Sequence, residues 1–242
     1  MAKTYQRPES FYDVATHYCA GCGHGILHRL VAECVDELAI REKTIAIAPV
    51  GCAVIAYNYW QMDCAEAAHG RALAVATAIK RCQPDKIVFT YQGDGDLAAI
   101  GTAETIHATN RGENLTVIFV NNAVYGMTGG QMAPTTLLDQ KTATSPRGRA
   151  AKTEGFPVKI SEMLALLEGV YSAERTSVSN PKEILNTKRA IKQAFVNQTE
   201  GKGFSIVEVL SMCPTYWNKS PADACRWIQE EMVKTFPLGK LK

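Results

Sequence analysis

KIVFTYQGDGDLAAIGTAETIHATNRGENLTVIFVNN, residues 86–122, decides the fold. Its first seven residues, Lys86–Gln92, are β-branched and aromatic and have the length of a strand. They run directly into Gly93-Asp94-Gly95-Asp96. Asp96–Asn110 reads as a helix, and Leu115–Asn121 is a second apolar strand. Strand, helix and strand in this order predict a right-handed β-α-β unit with parallel strands. LTVIFVN, and later FSIVEVL, are almost continuously apolar, as strands covered on both faces must be.

The alternation continues outward. Helices are expected at 23–40, 66–82, 160–168, 181–199 and 221–235, and further strands at 44–50, 172–178 and 204–210. Residues 123–158 are rich in Gly, Thr and Pro and lack periodicity. Loops of that length usually carry function or move. The expected fold is α/β, a doubly wound, mostly parallel sheet forming one domain over residues 1–242. Ligands of such sheets sit beyond the carboxyl ends of the strands, where strand order reverses.

Composition narrows the function classes. Of 242 residues, 46% are hydrophobic and 21% charged, which excludes a disordered or fibrous chain. The net charge of +2 comes with no basic stripe, so no nucleic-acid partner is expected. No apolar run approaches the ~18 residues of a membrane span. The opening MAKTYQRPESFYDV lacks the apolar stretch of a secretory signal, so a cytoplasmic location is expected. Eight cysteines stand out; in a reducing compartment they point to metal or redox chemistry.

The glycines flanking Asp94 allow a sharp turn and close approach to a ligand. The helix beginning near Asp96 offers free N–H groups to an anion such as a diphosphate. Asp94 supplies a hard oxygen for a divalent cation. Between Gly95 and Asn121 lie 25 residues, enough for one helix and one strand. That spacing places Asp94 and Asn122 at the ends of adjacent parallel strands, facing one site. The Asn122 side chain and the Val124 carbonyl are the further candidate ligands. GDGD read by itself is equally a strand-to-helix turn with an N-cap.

Cys19-Ala-Gly-Cys22 is a CxxC at a loop-to-helix junction. Cys52 follows the strand at 44–50, and Cys213 follows FSIVEVL. Both strand ends lie at the carboxyl edge beside the GDGD loop, so four thiolates can converge near one ligand. Four thiolates suit a [4Fe–4S] cluster or structural zinc, while CAGC alone also reads as a redox pair.

GDG, this spacer and NN resemble the thiamine-diphosphate motif. The block from GDGD through GMTGGQMAPTT resembles the β subunit of 2-oxoacid:ferredoxin oxidoreductases, and the resemblance runs from about Tyr18 to Tyr216. It implies that Asp94, Asn122 and Val124 hold Mg2+ against the diphosphate, with Gly93, Gly95 and Asp96 cradling the phosphates. It implies that Cys19, Cys22, Cys52 and Cys213 bind a [4Fe–4S] cluster, although Ala20 stands where many relatives have proline. Cys34, Cys64, Cys82 and Cys225 need no special chemistry. His69 and Arg71, from an HGR recurrent in the family, are candidate contacts to cofactor or substrate; an interfacial cap with a surface arginine is the plainer reading. Tyr125, Gly126, Met127 and Thr128 would border the thiazolium and substrate, unless this glycine loop only covers the site.

The implied reaction is the coenzyme A-dependent oxidative decarboxylation of a 2-oxoacid, with electrons passing to ferredoxin. Ile55 and Gly129 occupy places where some 2-oxoglutarate-using relatives carry lysines. A distal carboxylate without a cation is costly to bury, which favours a branched-chain substrate such as 2-oxoisovalerate over 2-oxoglutarate. The resemblance also implies an α subunit carrying the pyrimidine-binding half of the site, with γ and ferredoxin-like δ subunits. The rival readings are a non-redox thiamine-diphosphate decarboxylase subunit, a zinc-stapled structural subunit and a generic nucleotide-binding domain. The last lacks the G-x-G-x-x-G spacing.

Overall fold

The computed structural model describes residues 6–242. Residues 1–5, part of the stretch read for a signal, lie outside the described residues. Seven strands form one sheet: β1 (Thr44–Ala48), β2 (Asp63–Glu66), β3 (Ile87–Gly93), β4 (Thr116–Asn121), β5 (Val170–Ser177), β6 (Phe204–Leu210) and β7 (Gly239–Lys240). Their order is β2-β1-β3-β4-β6-β5-β7. All neighbours are parallel except β7, which runs antiparallel to β5. From β1 the chain goes to one side for β2 and then to the other for β3. This reversal opens a crevice at the carboxyl ends of β1 and β3.

The helices are α1 (His24–Glu37), α2 (Ala72–Cys82), α3 (Thr102–Asn110), α4 (Ala151–Glu154), α5 (Ile160–Ala165), α6 (Pro181–Thr199), α7 (Pro214–Trp217), α8 (Pro221–Trp227) and α9 (Val233–Thr235). Strand residues alternate between two apolar cores. Phe89, Tyr91, Ile118, Val120, Val207 and Val209 pack with α1 and α6. Val88, Val117, Phe119 and Ile206 pack with α2, α3 and α5. This double cover is the physical reason for the unbroken apolar character of these strands. Helix α6 begins where the sequence places it: Asn180 accepts the Glu183 N–H at 3.0 Å, and Pro181 opens the first turn.

The expected helix at 66–82 begins only at Ala72, because Asp63–Glu66 is a strand. That strand, DCAE, is a half-exposed edge without apolar alternation and owes its pairing to the backbone of β1. The expected helix at 96–110 is broken into a π-helical turn, Asp96–Ile100, and α3. Such turns recur at functional sites. Gly70 and Gly101 explain the break. A Cβ on Gly101 would lie 2.3 Å from the Asp96 carbonyl and 2.9 Å from that of Gly70, so two loops meet here backbone to backbone. The expected terminal helix is also segmented, with a π-helical turn at Ile228–Met232 between α8 and α9.

The long loop 123–158 is held from within. The buried Arg149 guanidinium donates to the carbonyls of Pro134, Thr136 and Phe156 at 2.9, 2.6 and 2.8 Å. Side-chain donors thus take the place of a periodic ladder. No helix among the described residues is long and apolar enough to cross a membrane.

Candidate cofactor site

A cavity of about 780 Å3, counting its open mouth, lies at the carboxyl ends of β1, β3 and β4. Residues 49–53 line it from the end of β1, 93–96 from the end of β3, and Asn122 and 124–128 from beyond β4. His24 and His69 complete one side. Cys52, His69, Gly93, Asp94, Gly95, Asp96, Asn122, Val124, Tyr125, Gly126, Met127 and Thr128 are therefore brought together. Arg71 is not in this lining. Its guanidinium pairs with Glu104 at 2.7 Å, and its side chain is about half exposed. Ile55 and Gly129 also lie outside the lining.

Asp94 is buried and accepts hydrogen bonds from the Gly95 N–H at 2.9 Å and from Thr135 Oγ1 at 2.8 Å. Burial pushes its carboxyl up to about 7, against the opposing pull of these donors. Among the described lining residues none is Lys or Arg. A buried carboxylate with no cationic neighbour fits a site made for a divalent cation. A Cβ on Gly51 or Gly93 would meet nothing within 4 Å, so bare backbone borders the space on two sides, as a phosphate cradle requires. Asn122 Oδ1 accepts the Val124 N–H at 3.3 Å, and the Asn122 carbonyl accepts Trp217 Nε1–H at 3.0 Å.

Asp96, expected to help cradle the phosphates, lines the cavity with its carboxylate turned to His69. Its carboxylate pairs with His69 Nδ1 at 2.7 Å and accepts the Gly70 N–H at 2.8 Å and Gln92 Nε2 at 2.5 Å. Both oxygens are engaged, and they fix the orientation of the His69 ring, the more exposed partner of the pair.

A second cavity of about 430 Å3 adjoins the first and is lined by Cys19, Cys22, Cys52 and Cys213. Cys52, Asn122, Gly126 and His24 line both cavities. A Cβ on Gly126 would sit 3.2 Å from Cys52 Sγ, a tight contact, and 3.6 Å from Cys213 Sγ, an ordinary one, so the glycine packs directly against both sulfurs. The Gly23 N–H donates to the Met212 carbonyl at 3.2 Å and ties the CxxC loop to the Cys213 segment. Burial pushes the Cys52 thiol up to about 11 and that of Cys213 to about 12, and it raises Cys22 as well. Ligation as thiolates would need positive charge from a bound metal. Among the described residues, no three His, Cys, Asp or Glu side chains form a group able to hold a metal ion. The four cysteines line one cavity without forming such a group. Cys34, Cys64, Cys82 and Cys225 line neither cavity.

Sequence reasoning missed the histidines at this wall, His17 and His24 in the lining of the cysteine cavity and His28 buried behind them. Tyrosine hydroxyls pair with His17 Nδ1 (Tyr59, 2.6 Å), His24 Nδ1 (Tyr91, 2.7 Å) and His28 Nε2 (Tyr18, 2.6 Å). His17 Nε2 also reaches the Cys52 carbonyl at 3.0 Å. Burial lowers His24 to about 4 and depresses His28 as well, so both are neutral. The available signal was the i, i+4 spacing of His24 and His28 on the inward face of the helix after Cys22.

Residues 49–209 match the family described as thiamine pyrophosphate enzyme, C-terminal TPP binding domain. A 2-oxoglutarate:ferredoxin oxidoreductase structure from Magnetococcus marinus, with 2-oxoglutarate, coenzyme A and succinyl-CoA bound, superposes with a TM-score of 0.76 at 26% identity. The match covers 88% of this chain and 70% of that one. The 2-oxoglutarate synthase subunit KorB of Methanocaldococcus jannaschii is 37% identical over 222 residues, covering 89% of this chain and 78% of the relative. The chain belongs to the thiamine-diphosphate-binding subunits of the 2-oxoacid:ferredoxin oxidoreductases. The subunit is also 52% identical over 250 residues to the ketoisovalerate oxidoreductase subunit VorA of Methanothermobacter thermautotrophicus. It spans 52% of that relative's length, about half. The doubly wound, mostly parallel fold expected from residues 86–122 is the fold of this family.

Proposed function

We propose that this chain, as a single domain, holds thiamine diphosphate, Mg2+ and a [4Fe–4S] cluster in a cytoplasmic enzyme complex. The complex would oxidatively decarboxylate a 2-oxoacid to its acyl-coenzyme A and pass electrons to ferredoxin. One observation carries the reading: Cys52, Asn122 and Gly126 form a wall common to the cofactor cavity and the cysteine cavity. A redox centre one residue away from the cofactor is of use to an oxidoreductase and of none to a simple decarboxylase.

When bound, thiamine diphosphate would supply carbanion chemistry for the keto carbon of a 2-oxoacid. Asp94, Asn122 Oδ1 and the Val124 carbonyl would hold Mg2+ against its diphosphate. The backbone of Gly93 and Gly95 gives the phosphates close approach. Asp96 holds His69 at the rim of the cavity, where its second nitrogen is free for cofactor or substrate. Val120, Val124 and Met127 give the cavity an apolar lining. Cys19, Cys22, Cys52 and Cys213 would carry the cluster.

The substrate inferred is a branched-chain 2-oxoacid, with 2-oxoisovalerate ahead of 2-oxoglutarate. The absence of Lys and Arg from the described lining supports this, because a distal carboxylate would lack a counter-charge. The similarity to VorA, named for ketoisovalerate, points the same way. The pyrimidine-binding half of the site would come from an α subunit, with γ and ferredoxin-like δ subunits completing the complex.

Anaerobic purification of the complex tests the reading. A brown protein absorbing near about 400 nm is expected, and a colourless zinc protein would overturn the cluster assignment. kcat/KM should favour 2-oxoisovalerate, and a strong preference for 2-oxoglutarate would overturn the substrate assignment.

A further inference from the structure

We infer that Glu208, acting through Asn121 and anchored by Arg175, is a positioning residue for the Mg2+-binding turn. Arg175 on β5 and Glu208 on β6 are register partners, and Glu208 lies opposite Phe119 of β4. Arg175, Glu208 and Asn121 are all within 1% of full burial. Arg175 Nη2 pairs with Glu208 Oε2 at 2.9 Å, and its Nη1 donates to Glu162 Oε1 at 2.9 Å. The other oxygen of Glu208, Oε1, accepts Asn121 Nδ2 at 2.8 Å.

Asn121 is the first residue of the NN pair, and its remaining polar atom faces the turn. Its Oδ1 accepts the Ala123 N–H at 3.1 Å. Ala123 has φ +57°, a left-handed conformation that an alanine adopts only when its surroundings hold it. The carbonyl of Ala123 is fixed from the other side by Thr136 Oγ1 at 2.7 Å and Gln140 Nε2 at 3.2 Å. On either side of this strained residue stand Asn122 and Val124, whose side-chain oxygen and carbonyl are read above as ligands. The chain of contacts runs from a buried ion pair in the sheet to the angle between two ligands.

A buried ion pair is a poor source of stability, since apolar residues of the same shape do as well. Its place in the middle of a doubly covered sheet is better explained by orientation. Partners one contact removed from a metal typically govern its affinity 10–100-fold.

The inference rests on the reading of Asn122 and Val124 as Mg2+ ligands. The test uses the full-length chain co-expressed with its partner subunits. Glu208→Gln keeps an acceptor for Asn121 and takes the charge away from Arg175. The double variant Arg175→Met/Glu208→Leu removes both charges and keeps the core filled. The quantity measured is the Mg2+ concentration giving half-maximal thiamine diphosphate binding, by isothermal titration. It should rise in both variants, more in the double variant, which also takes the acceptor from Asn121, and by less than the roughly tenfold of a group that touches a ligand directly. The Tm and visible absorbance of the double variant should stay near those of the unaltered complex. A folded variant with an unaltered Mg2+ requirement overturns the inference; if Glu208→Gln does not fold, the double variant decides. Thiamine diphosphate binding by the unaltered complex without need of Mg2+ would instead overturn the ligand assignment, and this inference with it.

Discussion

Asp94→Asn should stabilise the cation-free protein and abolish Mg2+-dependent cofactor binding. Burial moves the Asp94 carboxyl from 3.8 to about 7. At 1.36 kcal/mol per unit this amounts to about 4 kcal/mol against the ionised form in the folded state. The sign follows from proton binding. Between roughly pH 4 and 7 the folded protein holds a proton that the unfolded chain has released, so the cost grows as pH rises and is complete above pH ~7. Asparagine keeps an oxygen for the Gly95 N–H and can donate to Thr135, and it carries no charge to desolvate. In chelator at pH 8 the variant should gain at least ~1 kcal/mol, seen as a Tm rise of about 2–4 °C per kcal/mol. The gain should shrink at pH 5. Thermal unfolding across this range and titration with thiamine diphosphate and Mg2+ measure both halves. A variant that is no more stable at pH 8, or that still binds cofactor in a Mg2+-dependent way, would refute the reasoning.

Cys52→Ser should lose the visible absorbance near about 400 nm and electron transfer to ferredoxin, while Cys82→Ser, at an exposed thiol, should keep both. Gly126→Ala should weaken the same absorbance without unfolding the chain, because its methyl would press on Cys52 Sγ at 3.2 Å; circular dichroism and iron content separate the two effects. Acid should destabilise the protein through the two buried histidines. His24, lowered to about 4, and His28 stay neutral in the fold while the unfolded chain takes up protons below pH ~6.5. Stability present above that pH is lost as pH falls, about 1 kcal/mol for His24 by pH 5.5. The effect is best read in the Asp94→Asn background, where the opposing carboxyl is gone; a flat Tm between pH 7.5 and 5.5 would contradict it.

Residues 86–122 were legible because they carry their own covered strands, helix and turn in one continuous stretch. The two strands keep their periodicity under tertiary packing, and GDGD falls where a strand must hand over to a helix. The strand Asp63–Glu66 was not legible, since an edge pairing through backbone alone needs no apolar pattern. The break at Gly101 was hidden for another reason: it answers to Gly70, on a different loop. The same holds for the site. Asp94, Asn122, Cys52 and Cys213 were legible by residue type beyond strand ends, and Cys19 and Cys22 by their CxxC spacing before a helix. Arg71, read either as a contact or as a surface arginine, lies outside the cavity lining and pairs with Glu104. The link between Asn121 and Glu208 spans 87 residues, and only strand order brings them together. What the sequence did offer was a charge, Arg175 or Glu208, inside each of two adjacent strands.

The borders of the sheet have a bearing on assembly. At one end β2 offers a ladder of four residues, with the exposed acids Asp63 and Glu66 at its two ends. At the other, β7 offers two residues. A short, charged border gives another chain little main chain to zip onto. Sheet extension is therefore a poor route for recruiting a second polypeptide. Any subunit docking against the described residues would be recognised side chain by side chain, over helices and loops, which would make its specificity accessible to point mutation.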